Sequence, residues 1–397
     1  MNAEILGLGR VRSSFVGAPT DFSMTSASGN LAAMRMRLVS NLALLVLGIL
    51  AAVACGGGGN SASTGDGATK PAGSVSGTAT GSKPVGAGAL IIAKTSELSE
   101  YDLKSGTEKT LLKADTANTF ILDPALSPDR KRIAYIVQPP AKVADNKYDA
   151  GSDLWVANRD GSDPHAVLLH AQANQLIRFP KWEDDAHILA VVQEISNDAG
   201  GITRVVYTLE RVLVADGTRA PVLQNVLAFD ISPDGKRLIY AKLAPQIGET
   251  LNIADITGMN DTPLVGIDQN LSPFNAPRFS PDGAKIAFAS ADQTGARANQ
   301  EYVSAAPFGR DPGTPLTTNA SVALDGLPED IWTIDPAGGA PVRVADLKED
   351  LPALTWSGDG KHVYVVGSGG LYDINITSGA STRLGDGVFH GALVWSP

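Results

Sequence analysis

The sequence predicts an all-β fold: a six-bladed β-propeller closed by pairing of its N- and C-terminal strands. Three observations predict it. A hairpin motif recurs along residues 88–397, a strand-and-turn motif follows it in nearly every copy, and the two ends of that region are complementary fragments of one repeat.

The hairpin motif appears as PALSPDRKRIAYIV (124–137), FPKWEDDAHILAVV (179–192), FDISPDGKRLIYAK (229–242), PRFSPDGAKIAFAS (277–290), LTWSGDGKHVYVVG (354–367) and the truncated LVWSP (393–397). Each full copy has a short apolar strand, a Ser-Pro-Asp-Gly-like turn and a second strand expected to alternate apolar and polar residues. Proline sets φ for a turn corner, aspartate caps its own backbone, and glycine takes the positive φ. The turn Glu183-Asp184-Asp185 is the degenerate copy.

The second motif reads DLWVANRDG (153–161), LNIADITG (251–258), DIWTIDPAGG (330–339) and GLYDINITSG (370–379), with a weaker copy in LERVLVADG (209–217). It supplies a third strand, a turn and a short fourth strand. The five tryptophans agree with this register. Trp182, Trp356 and Trp395 end first strands, and Trp155 and Trp332 fall within third strands.

Four antiparallel strands repeated around a ring make a propeller blade. The last copy has only a first strand, Ala392–Pro397. The segments GALIIAK (88–94), LSEYDLKSG (98–106) and TEKTLLK (107–113) supply the second, third and fourth strands of a unit that lacks its first. Joining them completes six blades of about 50 residues and leaves no open sheet edge.

The repeat resembles that of the TolB-type propellers, a PD40/WD40-like repeat whose hallmark is the W/F-S-P-D-G-x-x-I/L-A/Y-F/Y string. The resemblance covers the chain from Gly88 and implies the propeller fold. TolB proteins carry a further domain before the propeller, and here that stretch has the composition of a tether.

Residues 1–54 read as a signal peptide. The apolar run Leu42–Ala54 is too short to span a bilayer, which needs about 20 apolar residues. It follows Arg35 and Arg37, as a signal-peptide core follows its basic region. Residues 1–33 fit no part of this, and a mis-assigned start is expected, with translation from Met34 or Met36. Cys55, the single cysteine, follows Leu50, Ala52 and Ala54 in a pattern that resembles a lipobox, which implies lipidation of Cys55. The alternative is a simple cleaved signal. Residues 56–87, rich in Gly, Ser, Thr and Ala, complete a 55–87 segment of anchor and flexible tether, with an r.m.s. reach of roughly 30 Å.

The chain is acidic, with formal net charge −10. Residues 1–54 hold four arginines and two acids, so the exported part is more acidic still. Such a surface repels phosphate backbones and anionic headgroups, which excludes nucleic-acid binding and attachment through a basic patch. One cysteine excludes a disulfide framework and a multi-thiolate metal site.

Strand alternation places the Ser-Pro-Asp-Gly-type turns on one face. The other face receives the long connections Gln138–Ser152, Glu194–Thr203 and Asp292–Glu329, and is the expected binding face. Tyr302 and Phe308, within the longest connection, are expected partner contacts. Asp129, Asp234, Asp282 and Asp359 read as turn caps rather than calcium ligands. No hydrolase elbow, zinc-protease motif, phosphate loop or dinucleotide fingerprint occurs. Neither cofactor nor metal is expected, and no catalytic residue is assigned. The segments entering the first strands carry Asp123, Arg178, Asp230, Asn275, Arg278, Asp350 and His390. These residues form either a funnel for a polar ligand or cation, or a hydrated pore whose charges pair internally.

The expected protein is a monomeric lipoprotein of the cell envelope, on the periplasmic or extracellular side, that binds a protein or an envelope polymer. The alternative is a propeller enzyme of polysaccharide lyase or hydrolase type with its active site in the channel.

Overall fold

The computed structural model describes residues 87–144, 147–197, 203–244, 248–294, 328–385 and 392–397. Cys55, Tyr302, Phe308 and His390 lie outside them. Blade 1 begins with β1 (Ala89–Lys94), β2 (Glu97–Asp102) and β3 (Glu108–Lys113). Blade 2 holds β4 (Phe120–Leu126), β5 (Arg132–Gln138), β8 (Asp153–Asn158) and β9 (His165–Leu168). Between β5 and β8 stands a small hairpin, β6 (Lys142–Ala144) and β7 (Lys147–Asp149). Blade 3 holds β10 (Leu176–Trp182), β11 (His187–Asn197), β12 (Thr203–Leu213) and β13 (Arg219–Gln224). Blade 4 holds β14 (Val226–Ile231), β15 (Arg237–Ala244), β16 (Gly248–Asp255) and β17 (Thr262–Val265). Blade 5 holds β18 (Leu271–Phe279), β19 (Ile286–Asp292), β20 (Glu329–Ile334) and β21 (Val342–Glu349). Blade 6 holds β22 (Ala353–Trp356), β23 (His362–Gly367), β24 (Gly370–Asn375) and β25 (Ser381–Gly385). The last strand, β26 (Leu393–Ser396), pairs antiparallel with β1, in the register Ala89↔Ser396 to Ile92↔Leu393. This completes blade 1 as the sequence predicts.

The first strands neighbour one another in the order β4, β10, β14, β18, β22, β26 and back to β4, so the ring is closed. The cores lie between blades. Ile136 and Leu154 of blade 2 pack with Trp182 and Ile188 of blade 3. Leu90 and Leu393 of blade 1 pack with Tyr364 and Val366 of blade 6.

The second strands differ from expectation. Ile133–Ile136, Leu238–Ala241 and Val363–Val366 are buried at every successive residue rather than alternately. Each blade is covered on both faces by its neighbours, so its inner strands have no solvent face. The fourth strands, at the rim, are largely exposed. The connections also differ. Gln138–Ser152 contains the β6–β7 hairpin, and Glu194–Asn197 and Thr203 extend the β11–β12 pair.

The turn chemistry follows the sequence closely. The hydroxyls of Ser127, Ser232, Ser280 and Ser357 donate to Asp129, Asp234, Asp282 and Asp359 at 2.6–2.7 Å. Each serine also accepts the amide five residues on, at 2.9–3.0 Å. The serine hydroxyl is the main cause holding each of these carboxyls below its ordinary pKa. The four aspartates are therefore turn caps. In the degenerate turn, Asp184 accepts the amides of Ala186 and His187 instead.

Aromatic residues at the end of the first strands join the blades. The Trp182 indole donates to the Ala125 carbonyl at 3.1 Å, and Trp356 donates to the Arg278 carbonyl at 3.1 Å. Both acceptors stand two residues before the turn serine of the preceding blade. Arg132 stacks over Trp182, with its guanidinium carbon 4.6 Å from the ring centroid, and Arg237 stacks over Phe279 at 5.7 Å.

Candidate functional site

The first strands surround the axis, so their side chains decide what the channel presents. Two residues before each turn serine, or before its counterpart Glu183, stand Ala125, Lys181, Asp230, Arg278, Thr355 and Val394 in blades 2, 3, 4, 5, 6 and 1. Half of this ring is charged, and the other half is small or apolar.

The charged half is joined to Asp123 and Arg178. Arg178 Nε donates to Asp123 Oδ2 at 2.7 Å, and the Phe179 amide donates to the same oxygen at 3.1 Å. Lys181 Nζ lies 3.1 Å from Asp230 Oδ1. Asp230 Oδ2 accepts the Phe279 amide at 3.0 Å. Arg278, 8% exposed, donates from Nη1 to the carbonyls of Pro277 at 2.8 Å and Phe229 at 3.3 Å.

Local backbone geometry makes room for these groups. The register of β4, β10 and β18 with their partners shifts at Leu122/Ala125, Arg178/Lys181 and Asn275/Arg278. Within each shift a residue preceding proline takes positive φ: Asp123 at 51°, Phe179 at 54° and Ala276 at 45°. A bulge of this kind re-aims the side chains of a strand.

The electrostatics follow from burial. Desolvation lowers the Lys181 pKa to about 8, assisted by the charge of Arg278 and opposed by Asp230 and Asp123. Desolvation also lowers Arg278, against the attraction of Asp230 and Asp123. Both carboxylates are engaged by a cation and a backbone amide. The cluster is therefore built to hold charge rather than to supply a free carboxylate base.

Of the residues the sequence singles out, Asp123, Arg178, Asp230 and Arg278 come together here. Asn275 faces away into its own blade, where Nδ2 donates to the buried Glu329 Oε1 at 2.6 Å. Asp350, partly buried ahead of β22, is not a member of the cluster's ion pairs. His390, expected at the channel mouth, lies outside the described residues. Lys181 is the member that the sequence reading misses. Its signal is its alignment with Asp230 and Arg278, which the degenerate turn at Glu183 obscures.

A second cluster stands on the long-loop face. His170 Nδ1 is 2.6 Å from Asp153 Oδ1, and Nε2 is 3.2 Å from Asp149 Oδ2. The Asp149 carboxylate also accepts the amides of Gly151 and Asn174. The imidazole lies against Gly151, where a side chain would collide with it. These bonds tie the base of the β6–β7 hairpin to the connection between blades 2 and 3. Two surface depressions of about 310 and 340 Å³ lie elsewhere, the first beside Leu271 and Trp332, the second between the turns of blades 4 and 5. Among the described residues, no three His, Cys, Asp or Glu side chains are placed to hold a metal ion. No helix among them is long and apolar enough to cross a membrane.

No protein-family profile matches the sequence, and no curated protein matches it. Solved structures do match. The chain is similar to TolB from Acinetobacter baumannii, with 15% identity and a TM-score of 0.53 over 78% of this chain and 67% of that one. A structure assigned as TolB from Agrobacterium tumefaciens matches at 15% identity and a TM-score of 0.48, covering 79% of this chain and 100% of that one. An oligogalacturonate lyase in complex with manganese matches at 15% identity and a TM-score of 0.40, covering 73% and 70%. Six four-stranded blades, closed by β26 on β1, and this likeness give one conclusion: in fold, the chain is a TolB-type six-bladed β-propeller.

Proposed function

We propose that this propeller is a binding module that holds a protein or an envelope polymer on its long-loop face, while a lipid on Cys55 and the tether keep it at a membrane. The supporting observation is the one-sided distribution of exposed apolar side chains. Val143, Tyr148, Leu169, Ile267 and Leu351 are exposed on the connections between second and third strands and between blades, and Val206 on the end of β12 at that face. Only Met259 and Val342, among the exposed large apolar residues described, lie at the opposite face. A single exposed apolar side chain means little. Their concentration on the face that carries the longest connections supports docking there. The opposite face consists of short capped turns, alike from blade to blade.

The test is capture of partners from envelope extracts. A variant with Val143, Tyr148, Leu169 and Leu351 changed to serine is expected to lose its captured partner and keep its melting transition. A control with Met259 and Val342 changed to serine is expected to capture as wild type does. Undiminished capture by the first variant would contradict the docking face. The anchor has its own test, in which Cys55→Ala abolishes incorporation of a fatty acid analogue. Equal incorporation would remove that part of the reading.

A further inference from the structure

We propose that the channel binds a carboxylate monoanion, seated between Arg278 and Lys181. This deepens the docking reading, and it rests on that reading for the route by which a partner's acidic group enters the channel.

The argument begins with the charge balance of the cluster. Arg178, Lys181 and Arg278 supply three cations; Asp123 and Asp230 supply two carboxylates. Asp123 is engaged by Arg178 and the Phe179 amide, and Asp230 by Lys181 and the Phe279 amide. Arg278 receives neither carboxylate within ion-pair distance. Its acceptors are two backbone carbonyls, both on Nη1. A guanidinium carries five N–H donors in a fork that matches a carboxylate. Its remaining donors are not among the fully buried polar atoms without a partner, so an anion can reach them, and a largely buried cation without an anion gains from one.

The opposite half of the ring carries no competing charge. Thr355, Val394 and Ala125 occupy the positions equivalent to Lys181, Asp230 and Arg278, and none of them is charged or long. A ligand that fills this side places its acidic group against the cationic side. Among the described residues of the cluster the surplus is one positive charge, which suits a monoanion. A dianion such as phosphate would bring its second charge against Asp123 and Asp230.

Lys181 gives the site a pH dependence. The charged groups around it are Arg178 on its own strand and Asp123, Asp230 and Arg278 on other first strands. With its pKa lowered to about 8 by burial, Lys181 titrates between pH 7 and 9. Anion binding therefore weakens across that interval.

Calorimetry on the exported chain tests the site with three probes: acetyl-trialanine as the free acid, the same peptide amidated, and inorganic phosphate. The free acid is expected to bind at least tenfold more tightly than the amide and more tightly than phosphate, with affinity falling from pH 7 to pH 9. Arg278→Gln and Lys181→Met are each expected to lose at least tenfold in affinity for the acid. Should Arg278→Gln fail to fold, Lys181→Met decides alone. Equal binding of acid and amide, no binding of either, tighter binding of phosphate, or wild-type affinity in folded variants would overturn the site. Capture by the long-loop face is read separately. A protein that captures its partner but shows no carboxylate preference loses only the channel site. One that binds the acid but captures equally well with its face altered loses only the docking face.

Discussion

The indole nitrogen of Trp356 donates to the backbone carbonyl of Arg278 across the boundary between blades 6 and 5, at 3.1 Å. The residue that closes the blade contact thus fixes the strand that carries the surplus cation of the channel. Trp356→Phe keeps most of the apolar burial and removes the donor. An unsatisfied buried carbonyl costs about 1–3 kcal/mol, and a loss of that size is expected in denaturant unfolding. A loss below about 0.5 kcal/mol, the low end for a hydrogen bond, would show that the bond does not hold the two blades.

Gly161, in the turn between β8 and β9, has φ +87° and sits against the Leu111 carbonyl of blade 1. Gly217 meets the Val167 carbonyl of the preceding blade in the same way. At Gly379 an added Cβ would stand only 2.6 Å from the Val344 oxygen. Gly235, with φ +70°, has nothing within 4 Å. Gly235→Ala meets only the positive-φ penalty of about 1–2 kcal/mol. Gly161→Ala adds about 1–3 kcal/mol of steric strain. The two variants, compared by urea unfolding, are expected to differ by that second amount. Equal losses would mean that the blades do not approach at this turn.

Arg130 occupies the glycine position of the first full hairpin turn and takes φ 62°, against 70°, 70° and 67° for Gly235, Gly283 and Gly360. Its side chain is exposed. Arg130→Gly relieves the backbone and is expected to stabilise by about 0.5–1 kcal/mol, after the greater unfolded-state freedom of glycine is counted. Unchanged or lower stability would contradict a strained turn.

His170 ties two segments of the long-loop face together, and its pKa is raised. Burial works against the rise, but bonds to Asp153 and Asp149 outweigh it. Because the folded value lies above the unfolded one, this contribution is complete below about pH 6.5 and is lost as pH climbs through the raised value. Burial opposes the shift of Asp149 too, yet the amides of Gly151 and Asn174 and the His170 ring hold it below 3.8. Its contribution is lost as pH falls through that lowered value. The hydrogen-exchange protection factors of residues 147–153 and 170–175, with the intrinsic pH dependence divided out, are therefore expected to be highest between these titrations and to fall as pH climbs through the raised His170 value. In His170→Gln that fall in protection should disappear. A profile in the variant identical to wild type would contradict the anchor.

The fold is legible in the sequence because turn chemistry is local and repeats. Ser-Pro-Asp-Gly names the hydroxyl, the carboxylate and the positive φ that the structure displays at Ser232, Asp234 and Gly235. The tryptophans are legible in position but not in partner, since the acceptors of Trp182 and Trp356 lie in another blade. The channel is only half legible. Asp123 and Arg178 stand in obvious approach segments, whereas Lys181 follows a bulge in the strand before a degenerate turn. Asn275, on the other side of an equivalent bulge, turns to Glu329. A bulge shifts register without leaving a signature that a pattern of apolar residues can carry.

Face, channel and blade contacts all depend on one relationship, the pairing of β26 with β1. Deleting residues 392–397 exposes two sheet edges and removes Leu393, which is 2% exposed, and Trp395, which is half-buried and rests on Gly358. Loss of a buried leucine alone costs about 2–5 kcal/mol, a large share of the roughly 5–15 kcal/mol by which a folded domain is held. Equilibrium unfolding of the truncated chain is the direct measurement. A closed ring predicts loss of the cooperative transition or aggregation; a transition unchanged in midpoint and slope would contradict it.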